Sequence, residues 1–200
     1  MSELGDYYEE YIKEVIDGEV YYMSPGISVH AWTVTRLGHK FYDYLKLNNK
    51  KCEVFTENIE VYLNGKDDKN FVVPDISIIC DVSKFDKRGY RGAPELIVEV
   101  LSPATAKKDK EEKLLAYEKA SVKEYWIVDT KSKSIEQRIL KDGKYKLENF
   151  VILMDEVEFD KLTEDQKNKY TTNIKPHIFP ELEIDLNELF NYYWRQKEHL

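Results

Sequence analysis

The sequence predicts an α/β (α+β) domain with a central mixed β-sheet flanked by helices and an N-terminal β-hairpin. Three observations predict it. Short apolar runs of strand length recur at Val73–Ile79, Glu95–Leu101 and Tyr125–Asp129. Two segments with helical spacing lie between and before them. Asp-Gly pairs at Asp17-Gly18 and Asp142-Gly143 sit between apolar runs, the strongest short hairpin signal, because a type I′ turn needs positive φ at both central residues.

The elements follow in order. Residues 12–23 read as two strands around Asp17-Gly18. Ser24-Pro25-Gly26 breaks them, and Ser28 is placed to cap a helix. In residues 29–47, Val29, Trp32, Thr33, Leu37, Phe41 and Leu45 form one apolar stripe at helical spacing. Residues 52–63 alternate unevenly and read as one or two strands, followed by a polar loop from Asn64 to Asn70. The Asp75 strand runs to Cys80. Residues 81–93 form a basic loop with interleaved aromatics.

Apolar residues on both faces of Glu95–Leu101 predict a central, covered strand. Residues 105–120 read as a helix capped by Ser102 or Thr105, with Leu114, Leu115, Tyr117 and Ala120 toward the sheet. A buried strand at 125–129 and a hairpin of 134–140 with 144–150 come next. Residues 151–175 are charged and weakly patterned, a candidate flexible insertion. Residues 178–194 suggest a short strand and a terminal helix. No repeat or interdomain linker interrupts residues 1–200, which are expected to form one domain.

Composition narrows the function classes. With 42% hydrophobic and 34% charged residues the chain has the balance of a globular protein with a real core. The formal charge of −8 argues against general coating of nucleic acid through a basic surface, though not against a local basic groove. The two cysteines, Cys52 and Cys80, form no CxxC pair and are expected to be buried free thiols in a reducing cytoplasm. Met1–Asp6 is acidic and lacks an apolar core of signal-peptide length. No run approaches the roughly 20 apolar residues that span a bilayer.

The chemistry concentrates in two carboxylates and an amine. Asp75 stands at the mouth of one strand and Glu99 inside another, where an unpaired charge is costly. Their separation accommodates a strand, a loop and a second strand, so the carboxylates can meet on neighbouring strands. Oxygen ligands in this pattern suit Mg²⁺ or Mn²⁺, with the Val100 carbonyl as a further candidate ligand. Such an ion acidifies a bound water and stabilises charge on a phosphate. Lys113, on the following helix, is placed to orient that water or neutralise developing charge. Asp109, four residues earlier on the same helix face, is placed to hold the lysine. His30 and Glu57 are second-tier candidates. Lys84, Lys87, Arg88 and Arg91, with Lys107 and Lys110, are candidate phosphate contacts.

These residues also carry a resemblance. Pro74-Asp75 followed by Glu99-Val100-Leu101 resembles a PD-(D/E)xK nuclease motif with leucine at the lysine position. The wider pattern is similar to the Uma family of inferred restriction endonucleases. It comprises Asp17-Gly18-Glu19, Met23-Ser24-Pro25, His30, Pro74-Asp75, Gly92 through Pro103, Asp109, Lys113, Tyr117 and Val122 through Asp129. The tail, Phe179-Pro180-Glu181-Leu182 through Leu189-Phe190, is similar too. Ser121-Val122 departs from the common Gly-Val. The resemblance implies a restriction endonuclease-like core, a DNA substrate, a Mg²⁺ or Mn²⁺ cofactor, and an amine supplied from the helix after the Glu strand, here Lys113.

Each candidate also has a plainer reading. Asp75 caps a strand or turn, Glu99 belongs to a buried ion pair, Lys113 lies on a solvated basic face, Glu57 is solvent-exposed, and His30 is a partly exposed residue that caps its helix. The rival functions are a non-catalytic nucleic-acid-binding or assembly module that keeps the fold, and a metal-dependent hydrolase of RNA or nucleotides. By fold-level analogy a homodimer is expected.

Overall fold

The computed structural model describes residues 12–23, 28–65, 69–102 and 106–192. The expected break at Ser24-Pro25-Gly26, the Thr105 cap and the end of the terminal helix lie outside them.

The hairpin is formed by β1 (Ile12–Ile16) and β2 (Glu19–Met23), antiparallel with Ile16 opposite Glu19. Asp17 and Gly18 both take positive φ, 50° and 83°, as the type I′ turn requires. Helix α1 (Ser28–Leu47) follows. Its buried stripe contains Val29, Thr33, Leu37, Phe41 and Leu45 as expected, with Val34 more buried than Trp32.

A six-stranded sheet is the centre of the molecule. Its strands are β3 (Glu53–Thr56), β5 (Ile76–Ile79), β7 (Leu96–Val100), β8 (Glu124–Asp129), β9 (Ser134–Lys141) and β10 (Lys144–Ile152). From edge to edge the order is β10-β9-β8-β7-β5-β3. The β7–β8 pair is parallel and all other neighbours are antiparallel, so the sheet is mixed. The parallel pair requires a crossover. Helix α2, residues 106–119, supplies it, with a π-helical turn at Asp109–Lys113 between α-helical ends Ala106–Lys108 and Leu114–Lys119. A small parallel pair of β4 (Glu60–Val61) and β6 (Gly89–Tyr90) flanks the sheet.

Residues 151–175 hold the end of β10, two short helices and β11 (Asn173–Ile174), which pairs with β12 (Ile184–Asp185). Both helices, α3 (Glu156–Asp160) and α4 (Glu164–Lys169), begin with capping boxes, from Asp155 and Thr163. Helix α5 (Leu186–Leu189) follows β12 and packs near α1.

The pleat divides the core. Ile76, Ile78, Leu96, Val98, Val100, Trp126 and Val128 meet α1 and the C-terminal segment in one apolar cluster. Ile79, Ile97, Tyr125 and Ile127 point to the opposite face, beside Tyr117 of α2 and Ile16 of the hairpin. Glu99 and Ser77 alternate onto that second face. Both faces bury an apolar cluster, and the second also holds Glu99.

Two expectations are corrected. Leu115 is exposed rather than facing the sheet; Asp109, Lys113 and Tyr117 take the inward stripe. The π turn offsets the register that a regular α-helix would give. Cys52 and Cys80 are not free thiols: they are half-buried and disulfide-bonded. They lie one step beyond the Glu53–Ile79 pair of β3 and β5, a register that sequence spacing alone does not reveal. Reducing this bond, which closes a sequence separation of 28 residues, should lower stability by about 3 kcal/mol. Urea unfolding with and without reductant measures it.

Candidate active site

Strand register builds the site. Thr56 pairs with Ile76, and Ile76 with Val98. One step further, Glu57, Asp75 and Glu99 fall in a row across β3, β5 and β7. The Glu57 amide donates to the Asp75 carbonyl at 3.0 Å, extending the ladder by that step. Glu57 and Asn58 both have positive φ, 51° and 52°, and turn the chain away immediately afterward.

Asp75 is buried and anchored. Its Oδ2 accepts from the Val100 amide at 2.7 Å and lies 3.2 Å from His30 Nε2. His30 comes from the first turn of α1, with its side chain 9% exposed. Burial opposes a charge on the ring. The Asp75 hydrogen bond and the charges of Asp75, Glu57 and Asp109 outweigh it and raise the imidazole pKa.

Glu99 lies deeper. Its Oε1 accepts from Lys113 Nζ at 2.9 Å and from Tyr117 Oη at 2.6 Å. Lys113 is 1% exposed, so it does not lie on the solvated basic face of its helix. Its ammonium also meets Glu14 Oε1 at 2.8 Å and Asp109 Oδ1 at 3.7 Å. Burial favours the neutral amine, but Glu99, Glu14, Asp109 and Asp75 overcome it and hold the pKa well above the ordinary lysine value. Lys113 is a fixed cation at neutral pH. Burial pushes the Glu99 pKa up, and neighbouring Asp75, Asp109 and Glu14 add to this against the opposing pull of Lys113.

Glu14 was not anticipated. It is fully buried in β1, accepts from the Val73 amide at 2.8 Å, and bonds Lys108 Nζ at 2.6 Å as well as Lys113. The period-two spacing of Glu14 and Ile16 holds the available signal, since it puts Glu14 on the same face as the buried Ile16. Tyr125 completes the surroundings by donating to the Asp109 carbonyl at 2.9 Å.

The candidate phosphate contacts are arranged differently. Lys84 pairs with Asp81, Arg91 with Asp86, Lys107 with Glu111 and Lys110 with Glu136. Arg91 also stacks over the Tyr62 ring at 3.5 Å, with its side chain 11% exposed. Lys87 and Arg88 are exposed.

This donor set fits a divalent cation. The carboxylates of Asp75 and Glu99 come from neighbouring strands, and burial together with nearby like charges raises the Glu99 pKa, which a bound cation would oppose. Buried His30 Nδ1 has no hydrogen-bond partner among the described residues. Ligand atoms of His30, Glu57 and Asp75 lie within 4.8 Å of one another.

Glu14 also sets a pH dependence. Burial raises its pKa, but Lys113 and Lys108 outweigh this and lower it below the ordinary glutamate value of 4.5. Its stabilising effect is therefore present above that pH and lost as pH falls through the folded-state value. Glu14→Gln should be destabilised by about 3 kcal/mol at neutral pH, with the deficit shrinking in acid. Urea unfolding across pH checks both.

Three comparisons place this geometry among known proteins. A crystal structure of a "putative nuclease belonging to DUF820" from Anabaena variabilis superposes with a TM-score of 0.63, covering 90% of each chain at 17% identity. That likeness shows a shared fold. A Synechocystis protein named "Uncharacterized protein slr1290" is 28% identical over 124 residues, which are 62% of this chain and 63% of the relative's length. No helix among the described residues is long and apolar enough to cross a membrane. The model of one family, described as "Uma2: Putative restriction endonuclease", matches residues 3–170, and the chain belongs to that family.

Proposed function

We propose that this protein is a divalent-metal-dependent endonuclease that hydrolyses phosphodiester bonds in DNA. The observation that carries the reading is the placement of Asp75, one step before the Ile76–Val98 pair and so alongside Glu99 of β7, beside the Lys113 ammonium. The family description and the nuclease of the same fold support a phosphodiester substrate. DNA is the substrate class that the family description favours.

Asp75, Glu99 and the Val100 carbonyl would hold Mg²⁺ or Mn²⁺. When bound there, the ion would supply Lewis-acid stabilisation of phosphate charge and acidify a water. The Val100 amide holds the Asp75 carboxylate in place before substrate arrives. Tyr117 and Lys113 fix Glu99 by the same oxygen, so its other oxygen is available to a ligand. Lys113 remains protonated and acts as a positioned positive charge for the phosphate rather than as a general base. Asp109 and Glu14 position it.

Exposed Lys87 and Arg88 are the first candidates for duplex contact. Lys84, Lys107 and Lys110 join them by exchanging weak surface ion pairs for phosphate. The domain would act as a homodimer when cutting both strands, in the cytoplasm. There the cellular thiol pool would oppose the Cys52–Cys80 bond.

One observation favours a second reading, a non-catalytic DNA-binding or assembly module. The chain is net acidic, and four of the six candidate phosphate contacts are already ion-paired. Incubation of supercoiled plasmid and short duplexes with Mg²⁺ or Mn²⁺ separates the two. Wild-type protein should cut DNA, Asp75→Ala and Glu99→Ala should abolish cutting, and Lys113→Met should slow it by about 10²–10³-fold. An inert wild type whose DNA binding survives both carboxylate substitutions would establish the module instead.

A further inference from the structure

We infer that His30 Nδ1 and Glu57, with the ring oriented by Asp75 through Nε2, form a mixed nitrogen–oxygen cation site that suits a first-row transition dication better than Mg²⁺. The inference rests on the metal-dependent reading and adds ligands to it. His30 is the central observation. Its ring is almost wholly buried, yet Nδ1 has no hydrogen-bond partner among the described residues. Such an orphan is costly unless something else occupies its lone pair or proton.

Two carboxylates flank the ring. Asp75 Oδ2 stands 3.2 Å from Nε2, and Glu57 Oε1 stands 4.0 Å from Nδ1. The second distance is too long for a hydrogen bond. An ion on Nδ1 at a ligand distance of about 2 Å is within reach of Glu57, while Asp75 accepts from the Nε2 hydrogen and orients the ring. The three groups come from three elements, α1, the end of β3 and the start of β5, and the sheet register fixes two of them. The Glu57 side chain is 44% exposed, so the cluster opens to solvent and an ion has a way in.

The donor types set the preference. Mg²⁺ takes oxygen ligands and retains water, whereas imidazole suits first-row transition ions. A row that continues from Glu57 and His30 through Asp75 to Glu99 would therefore bind Mn²⁺ more tightly than Mg²⁺. Glu99 belongs to the Lys113 side of the row and is not needed for nitrogen ligation.

Mn²⁺ binding to the full-length protein, followed by calorimetry and pulsed electron paramagnetic resonance, tests this. Wild type should show nitrogen hyperfine coupling to the bound Mn²⁺. His30→Gln should lose that coupling and bind Mn²⁺ at least about tenfold more weakly, with a much smaller change for Mg²⁺. Glu57→Gln should weaken Mn²⁺ but keep the nitrogen signal. Circular dichroism confirms that both variants fold, and the wild-type spectrum stands even where a variant does not. Bound Mn²⁺ without nitrogen coupling would overturn the inference and leave His30 as an ion-pair partner of Asp75. DNA cleavage in that case would keep the nuclease reading. Nitrogen coupling without cleavage of any nucleic acid would instead keep the cation site and remove the nuclease.

Discussion

One buried ammonium constrains the rest of the structure. Lys113 has essentially no exposure to water, and desolvating a cation costs several kcal/mol unless partners surround it. Its partners arrive from three directions: Glu14 from the hairpin, Glu99 from the sheet, and Asp109 from its own helix. The hairpin, β7 and α2 must therefore converge for the charge to be tolerated. Glu14 ties this convergence to the approach of β5 as well, through the Val73 amide. The same requirement fixes the amine beside the Asp75–Glu99 pair to within a hydrogen bond.

The two faces of the sheet bury different polar groups within apolar clusters. On the α1 face, Trp126 is wholly buried, packs against Phe41 and donates its indole N–H to the buried Glu124 carboxylate at 2.7 Å. On the α2 face, the pleat presents Glu99 to an inward stripe of Asp109, Lys113 and Tyr117. Antiparallel register then sets Glu57 and Asp75 beside it. Buried carboxylates outnumber ammoniums on this face, with Glu14, Asp75, Glu99 and Asp109 against Lys113 and Lys108. An excess of carboxylate over ammonium is the electrostatic condition that a divalent ion satisfies.

Much of this was legible in the sequence, for local reasons. The Asp-Gly hairpins, the α1 stripe and the apolar strands depend on turn chemistry and periodicity, which short segments encode. Asp75 and Glu99 stood out because carboxylates in apolar runs demand partners. The burial of Lys113 was not legible in a helix with several lysines, and the π turn further obscured which face pointed inward. Glu14 was hidden because a lone glutamate in a hairpin strand ordinarily faces solvent; its partners lie 59 to 99 residues away. The Cys52–Cys80 bond likewise depends on the pairing of β3 with β5, a long-range register.

The Asp75–Glu99 pair is proposed to hold a divalent cation beside a fixed ammonium. Anomalous diffraction from a crystal grown with Mn²⁺ tests it most directly. The account predicts a peak at ligand distance from both carboxylates, with Lys113 Nζ still bonded to Glu99. Protein saturated with Mn²⁺ that shows no peak between these carboxylates, or a peak only elsewhere, would contradict it.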